Sequence, residues 1–250
     1  MKKILTTIIL SMTLVSCTSV PPQKIQYVPT LPPNPQIIMP QIRSDVCHVV
    51  APLETVWRLS KMYDVTVESI IKRNNLNSNG DIEKGQRLVI PNAAKWKPVI
   101  PLYPSRKWKY IIIHHSATDY GNALVFDKAH INRGWDGLGY DFVIDNGTES
   151  KKNGQIEVSP RWIKQKNGAH CKASNMNEKG IGVCLVGDYT TSYVSDAQLD
   201  SLVFLVNKLR LYYGIPVSNI IGHGQVPGAN TACPGRNFPW TEFRKRLYAK

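Results

Sequence analysis

Residues 110–118 read YIIIHHSAT, from Tyr110 to Thr118. Three β-branched isoleucines read as a strand buried on both faces, and two adjacent histidines close it. Successive side chains on a strand point to opposite faces, so His114 and His115 cannot both serve one site.

Working outward, the C-terminal part of the chain alternates strand and helix signals. Lys109–His114 and Tyr140–Ile144 read as strands, and so does Ile181–Val186 between Gly180 and Gly187. Asn122–Arg133 has helical spacing through Leu124 and Ile131 and stops at Gly134. Ser195–Tyr213 is the clearest helix, with a Ser195/Gln198 capping box, an inward stripe of Leu199, Leu202, Val203, Val206 and Leu209, and Gly214 at its end. Ile220-Ile221 reads as a short strand ending at Gly222-His223, and Trp240–Tyr248 as a last helix. Strands between helices predict an α/β layer fold, a central mixed sheet with packed helices.

Three side chains with metal-ligating chemistry fall at the ends of these elements: His114, His223 and Cys233. Two imidazoles and a thiolate suit zinc, and three protein ligands leave a fourth tetrahedral position for water. Their wide separation in sequence makes spacing alone weak support. No HExxH occurs, which excludes the common helical zinc-protease arrangement.

The chain has 250 residues and a formal charge of +13. Met1–Cys17 has Lys2 and Lys3, an apolar run from Ile4 to Val15 and the tetrad Leu14-Val15-Ser16-Cys17. That is the layout of an export signal, and the apolar run of about 12 residues is shorter than the roughly 20 a membrane span needs. The tetrad resembles a bacterial lipobox, which implies cleavage before Cys17 and a lipid anchor on it. Export removes nucleic acid as a partner of the basic surface and leaves anionic lipid or cell-wall polymer. Of five cysteines, Cys17 would carry lipid and Cys233 metal. The state of Cys47, Cys171 and Cys184 stays open.

Residues 18–46 are rich in proline and read as an extended tether. Residues 47–92 show a strand, helix, helix, strand order: a strand at His48–Val50, a helix over Leu53–Tyr63 with Val56, Leu59, Ser60 and Tyr63 on one face, and a helix capped by Thr66 with Ile70 and Ile71 inward. A strand at Arg87–Ile90 follows, stopped by Pro91. Residues 93–107 form a second linker and 108–250 the largest domain.

Two resemblances follow from these blocks. HVVAPLETVWRLSKMYDVTVESIIKRNNL with DIEKGQRLVIP resembles a LysM module, a βααβ unit that binds N-acetylglucosamine-containing glycans; the usual Gly-Asp-Thr turn here reads Leu53-Glu54-Thr55. YIIIHHSAT, GWDGLGYDFVI, GAH, GIGVCLVGDY and GHGQVPGANTACPG, in that order, resemble the type-2 N-acetylmuramoyl-L-alanine amidases, the family of the phage-lysozyme-type amidases and the peptidoglycan recognition proteins. That resemblance implies one zinc per chain held by His114, His223 and Cys233, with His115 outside the site. It implies Tyr140 and Thr231 as catalytic residues and His170 beside the substrate. Thr231 stands where some members have lysine, and Cys184 where another branch has a glutamate. The expected activity is hydrolysis of the amide joining N-acetylmuramic acid to L-alanine. The expected partners are peptidoglycan glycan strands and stem peptides, with the membrane reached through Cys17. A monomer on the periplasmic side of an outer membrane is expected. The alternative is a non-catalytic peptidoglycan-binding lipoprotein.

Overall fold

Two alternating patterns, one short and one long, build two domains. The structure is a computed structural model that describes residues 42–105 and 107–248. The expected signal segment, the expected lipid attachment at Cys17 and the expected tether up to residue 41 lie outside the described residues.

The first domain is β1 (Ser44–Val49), α1 (Val56–Tyr63), α2 (Val67–Arg73) and β2 (Arg87–Ala93), with β1 and β2 antiparallel. Thr55 caps α1 by accepting from the Arg58 amide, and Thr66 caps α2 by accepting from Ser69; each such cap is worth about 1 kcal/mol. Leu59, Met62, Tyr63, Ile70, Leu88 and Ile90 fill the core. Ile71 is only half-buried, since neighbours on a helix cannot share one face. Pro91 does not stop β2. The register slips between Ser44↔Ala93 and Val46↔Ile90, and Pro91 sits in that irregularity, where no ladder amide is needed.

The second domain continues with β3 (Tyr110–His115), α3 (Ala123–Asn132), β4 (Phe142–Asn146), β5 (Asn153–Val158), α4 (Pro160–Ile163), α5 (Met176–Lys179), β6 (Gly180–Leu185), α6 (Asp196–Tyr213), β7 (Ile220–Gly222) and α7 (Trp240–Tyr248). The sheet order is β5-β4-β6-β3-β7, parallel except for the antiparallel β4–β5 pair. Ile111 and Ile113 of β3 face a core that contains Leu199, Leu202, Leu205, Val206 and Leu209 of α6. Each such side chain contributes about 1.5–3 kcal/mol on burial. Ile112 faces the other way, into a small cluster with Cys171, Met176 and Val226, and His114 shares that face. The Ser195/Gln198 capping box and the left-handed Gly214 bound α6.

Two elements differ from the sequence expectation. Ile131 of α3 is exposed and Leu124 half-buried, whereas Ala123, Phe126, Asp127 and His130 turn inward. The polar Asp127 and His130 hide this face from a hydrophobic count. The segment after residue 150, where the sequence reading places no strand, forms β5, whose buried positions include Gln155 and Glu157.

Those polar residues meet the first domain. Lys151 Nζ donates to the Val49 carbonyl at 2.8 Å and lies 2.7 Å from Glu157 Oε2, with both side chains almost wholly buried. Nearby, Glu54 holds His48 at 2.8 Å and accepts from the Ala51 amide at 2.7 Å. Burial acts to raise the Glu54 carboxyl, but the His48 bond and the charges of His48, Lys151 and Arg58 outweigh it and hold it down to about 2.

Candidate metal centre

β3 and β7 run side by side with Ile113 opposite Gly222, so His114 and His223 leave the sheet at the same level. Cys233 comes from the following loop. Gly224 donates its amide to the Cys233 carbonyl at 2.7 Å, which stitches that loop to the His223 turn. A Cβ on Gly224 would come 2.4 Å from the Thr231 carbonyl oxygen, so the approach requires glycine.

One ligand atom each from His114, His223 and Cys233 lies within 4.8 Å of the others. His114 Nδ1 is 3.6 Å from Cys233 Sγ, and the His114 and His223 rings are 4.7 Å apart. The His115 amide donates to Cys233 Sγ at 3.3 Å, which favours negative charge on the sulfur. The His115 ring lies elsewhere: its Nδ1 accepts from the Tyr189 amide at 3.2 Å and sits 3.6 Å from Asp188 Oδ1. Strand alternation separates the two neighbours.

His170 stands behind His114 and fixes its tautomer. Its Nε2 is 3.2 Å from the Gly180 carbonyl, which can only accept, so this nitrogen carries the proton. Its Nδ1, 3.1 Å from His114 Nε2, must then accept. His114 therefore keeps its proton on Nε2 and turns a free Nδ1 lone pair toward Cys233 and His223. The expectation that His170 borders the substrate does not fit this place. Its side chain is fully buried, with Asp141 Oδ2 3.9 Å away on the far side.

Protonation states follow from burial. Burial, with three histidines around it, holds His114 well below the ordinary imidazole value; burial alone lowers His223, and burial brings His170 to about 4. All three are neutral at pH 7, with lone pairs available. Burial pushes the Cys233 thiol up to about 12, so a cation must displace its proton. Two neutral imidazoles and a sulfur converging on one point fit a single zinc ion with room for a fourth ligand.

Tyr140 packs its ring 5.2 Å from that of His114 and lines a cavity of about 220 Å³ with Ser116, Phe126 and Arg133. Burial and the thiols of Cys184 and Cys233 push its phenol well above the ordinary value, so it is a donor. Thr231 is exposed; its Oγ1 accepts from the Cys233 amide at 3.2 Å and its own proton remains to donate. Cys47, Cys171 and Cys184 are free thiols.

Two neighbours escaped the sequence reading. Burial raises Asp141 to about 7, against the Gly182 amide bond; an acid inside GYDFVI was the available signal. His130 accepts from the Gly139 amide at 3.0 Å, with its ring 5.8 Å from that of Tyr140; nothing in the α3 pattern marked it.

Comparison with known proteins gives two family matches: "N-acetylmuramoyl-L-alanine amidase" over residues 104–236 and "LysM domain" over residues 48–91. The chain is similar to peptidoglycan-recognition protein SC2 of Drosophila melanogaster, with 31% identity over 144 residues, 54% of this chain and 72% of the relative. It is 28% identical over 139 residues to an N-acetylmuramoyl-L-alanine amidase of Sus scrofa, 50% of this chain but 21% of that protein. Among solved structures, an endolysin amidase, LysCS, from Clostridium intestinale URNW aligns at 30% identity and a TM-score of 0.47, over 58% of this chain and 86% of that one.

Proposed function

The chain belongs to the N-acetylmuramoyl-L-alanine amidase family and carries a LysM domain, and from that premise we propose that it hydrolyses the amide between N-acetylmuramic acid and L-alanine in peptidoglycan. The observation that supports this reading is the convergence of His114, His223 and Cys233 within 4.8 Å. These three side chains would hold one zinc ion. When bound, zinc supplies a Lewis acid and lowers the pKa of its water to about 7.

The remaining chemistry falls to the chain itself. His170 orients His114, and the His115 amide steadies the Cys233 sulfur. Tyr140, protonated and beside His114, donates to the substrate oxygen where negative charge develops. The Thr231 hydroxyl, anchored by the Cys233 amide, offers a second donor. The LysM domain holds the glycan, and the lipid on Cys17 keeps the enzyme at the periplasmic face of an outer membrane. Such tethering raises local concentration, so weak sites still contribute.

The experiment is digestion of purified sacculi with and without a chelator, with products identified by mass. Release of stem peptides bearing a free L-alanine amine, stopped by the chelator and restored by zinc, is the expected result. Retention on sacculi with no released peptide would instead make the chain a peptidoglycan-binding protein.

A further inference from the structure

A cavity of about 540 Å³ lies between the two domains, within the size range of small-ligand sites. One wall is the β1–α1 loop with Leu53, together with Ile82 and Lys84 ahead of β2. The other is the end of α3 and the turn after it, with Ile131, Trp135 and Asp136.

Three observations converge there. Leu53, Ile131 and Trp135 are 46%, 46% and 43% exposed, and all three line this one cavity. Single exposed apolar side chains are ordinary, but a cluster rimmed by polar groups marks a ligand surface. Leu53 also sits at φ 61, a left-handed backbone that disfavours a leucine and that its partial exposure does not offset. Strain of this kind persists where the projected side chain is needed. Finally, several charged side chains on the walls are already engaged. Lys84 meets Asp127 across the domain boundary at 3.0 Å, Lys166 meets Asp136 at 2.7 Å, and Arg161 donates to the carbonyls of Leu138, Asn167 and Asp136.

The acidic side chains on the walls, Glu54, Asp127 and Asp136, are each paired with a base, so a cation has little to gain in such a site. A neutral ligand with apolar faces and many hydroxyl and amide groups matches it. The Trp135 ring, held 4.6 Å from that of His130, is a fixed platform for a sugar ring to stack on. We propose that this cavity is a composite glycan site, in which the amidase domain supplies one wall and the LysM domain the other, and that it takes a segment of an N-acetylated glycan strand. This rests on the peptidoglycan reading above, since that polymer carries the stem peptide to be cut. It adds that the LysM loops do not bind alone. It also makes α3 a wall shared with the metal centre, since Ile131 and Asp127 line the composite cavity while His130 lines the one beside Tyr140.

The test is calorimetric titration of the full chain with a β-1,4-linked N-acetylglucosamine tetramer. The wild type is expected to bind saturably, and Trp135→Ala to weaken binding about tenfold, as for one aromatic anchor. Ile131→Ser, on the same wall and already exposed, should weaken it in the same direction and keeps the test open if Trp135→Ala fails to fold. Leu53→Gly should weaken binding while its unfolding midpoint does not fall, because glycine accepts the left-handed backbone. Unchanged affinity in Trp135→Ala and Ile131→Ser would overturn the shared wall, as would a wild type that ignores the tetramer. Hydrolysis of a soluble muramoyl peptide without a glycan chain is measured alongside on the wild type. Hydrolysis without tetramer binding defeats the composite site and leaves the amidase standing; tetramer binding without hydrolysis does the reverse.

Discussion

Two buried polar clusters in this molecule obey opposite rules. At the domain junction, Glu54 bonds His48 at 2.8 Å and Lys151 lies 2.7 Å from Glu157, so acid faces base within the protein. At the metal centre, His114, His223 and Cys233 turn lone pairs and a thiol toward a common point with no countercharge among them. Neutral imidazoles and a thiol packed around one point, with lone pairs left over, have the donor set of a metal site. The first cluster acts as a latch between the domains, and the second is a group that could hold a cation.

Removing one member from each should therefore fail differently. Cys233→Ala deletes the only anionic ligand; metal content and turnover should vanish together while the fold is retained, and His115→Ala should keep both. Elemental analysis beside the sacculus assay checks this pair, and a Cys233→Ala protein still full of zinc would contradict the assignment. Lys151→Met strands Glu157 and the Val49 carbonyl in the junction, and chemical denaturation should show a loss of about 3–5 kcal/mol with zinc content intact. A loss under 1 kcal/mol would mean that the junction admits water and is no latch.

Smaller effects divide the metal centre internally. Tyr140→Phe removes a donor but no ligand; kcat should drop about 100- to 1,000-fold at unchanged zinc content. His170→Ala frees the tautomer of His114, and competition with a chromophoric chelator should show zinc affinity weakened about 10- to 100-fold. Were His170 a substrate contact instead, KM would rise at constant metal affinity. The pH response is the smallest. The imidazoles are depressed and neutral at pH 7, while burial pushes the Cys233 thiol up to about 12 and keeps it protonated. Each ion taken up should release about one proton, and affinity should fall about tenfold for each pH unit lost. Calorimetry at about pH 6, where zinc-bound water keeps its proton, in buffers of differing ionisation enthalpy counts that proton; two or more would mean that the imidazoles start charged.

The same contrast explains which parts of the molecule were legible in the sequence. The strand ending at His114 could be read because its core side chains are apolar and β-branched, and α6 because its capping box and leucine stripe follow the helical period. β5 could not, since Gln155 and Glu157 are buried by the junction rather than by greasiness. The inward face of α3 hid for the same reason, behind Asp127 and His130. Pro91 misled because a proline seated where the register slips gives up no ladder bond. Of the candidate site, the ligands and Tyr140 stood in recognisable blocks, whereas the place of His170 depends on how β6 presents the Gly180 carbonyl, a fact of three dimensions.

The most direct test is X-ray absorption at the zinc edge of hydrolytically active protein. The account predicts one zinc with a single sulfur at about 2.3 Å and two imidazole nitrogens at about 2.0–2.1 Å, plus one lighter exchangeable ligand. Active protein that holds no zinc, or zinc with no sulfur in its shell, would contradict it.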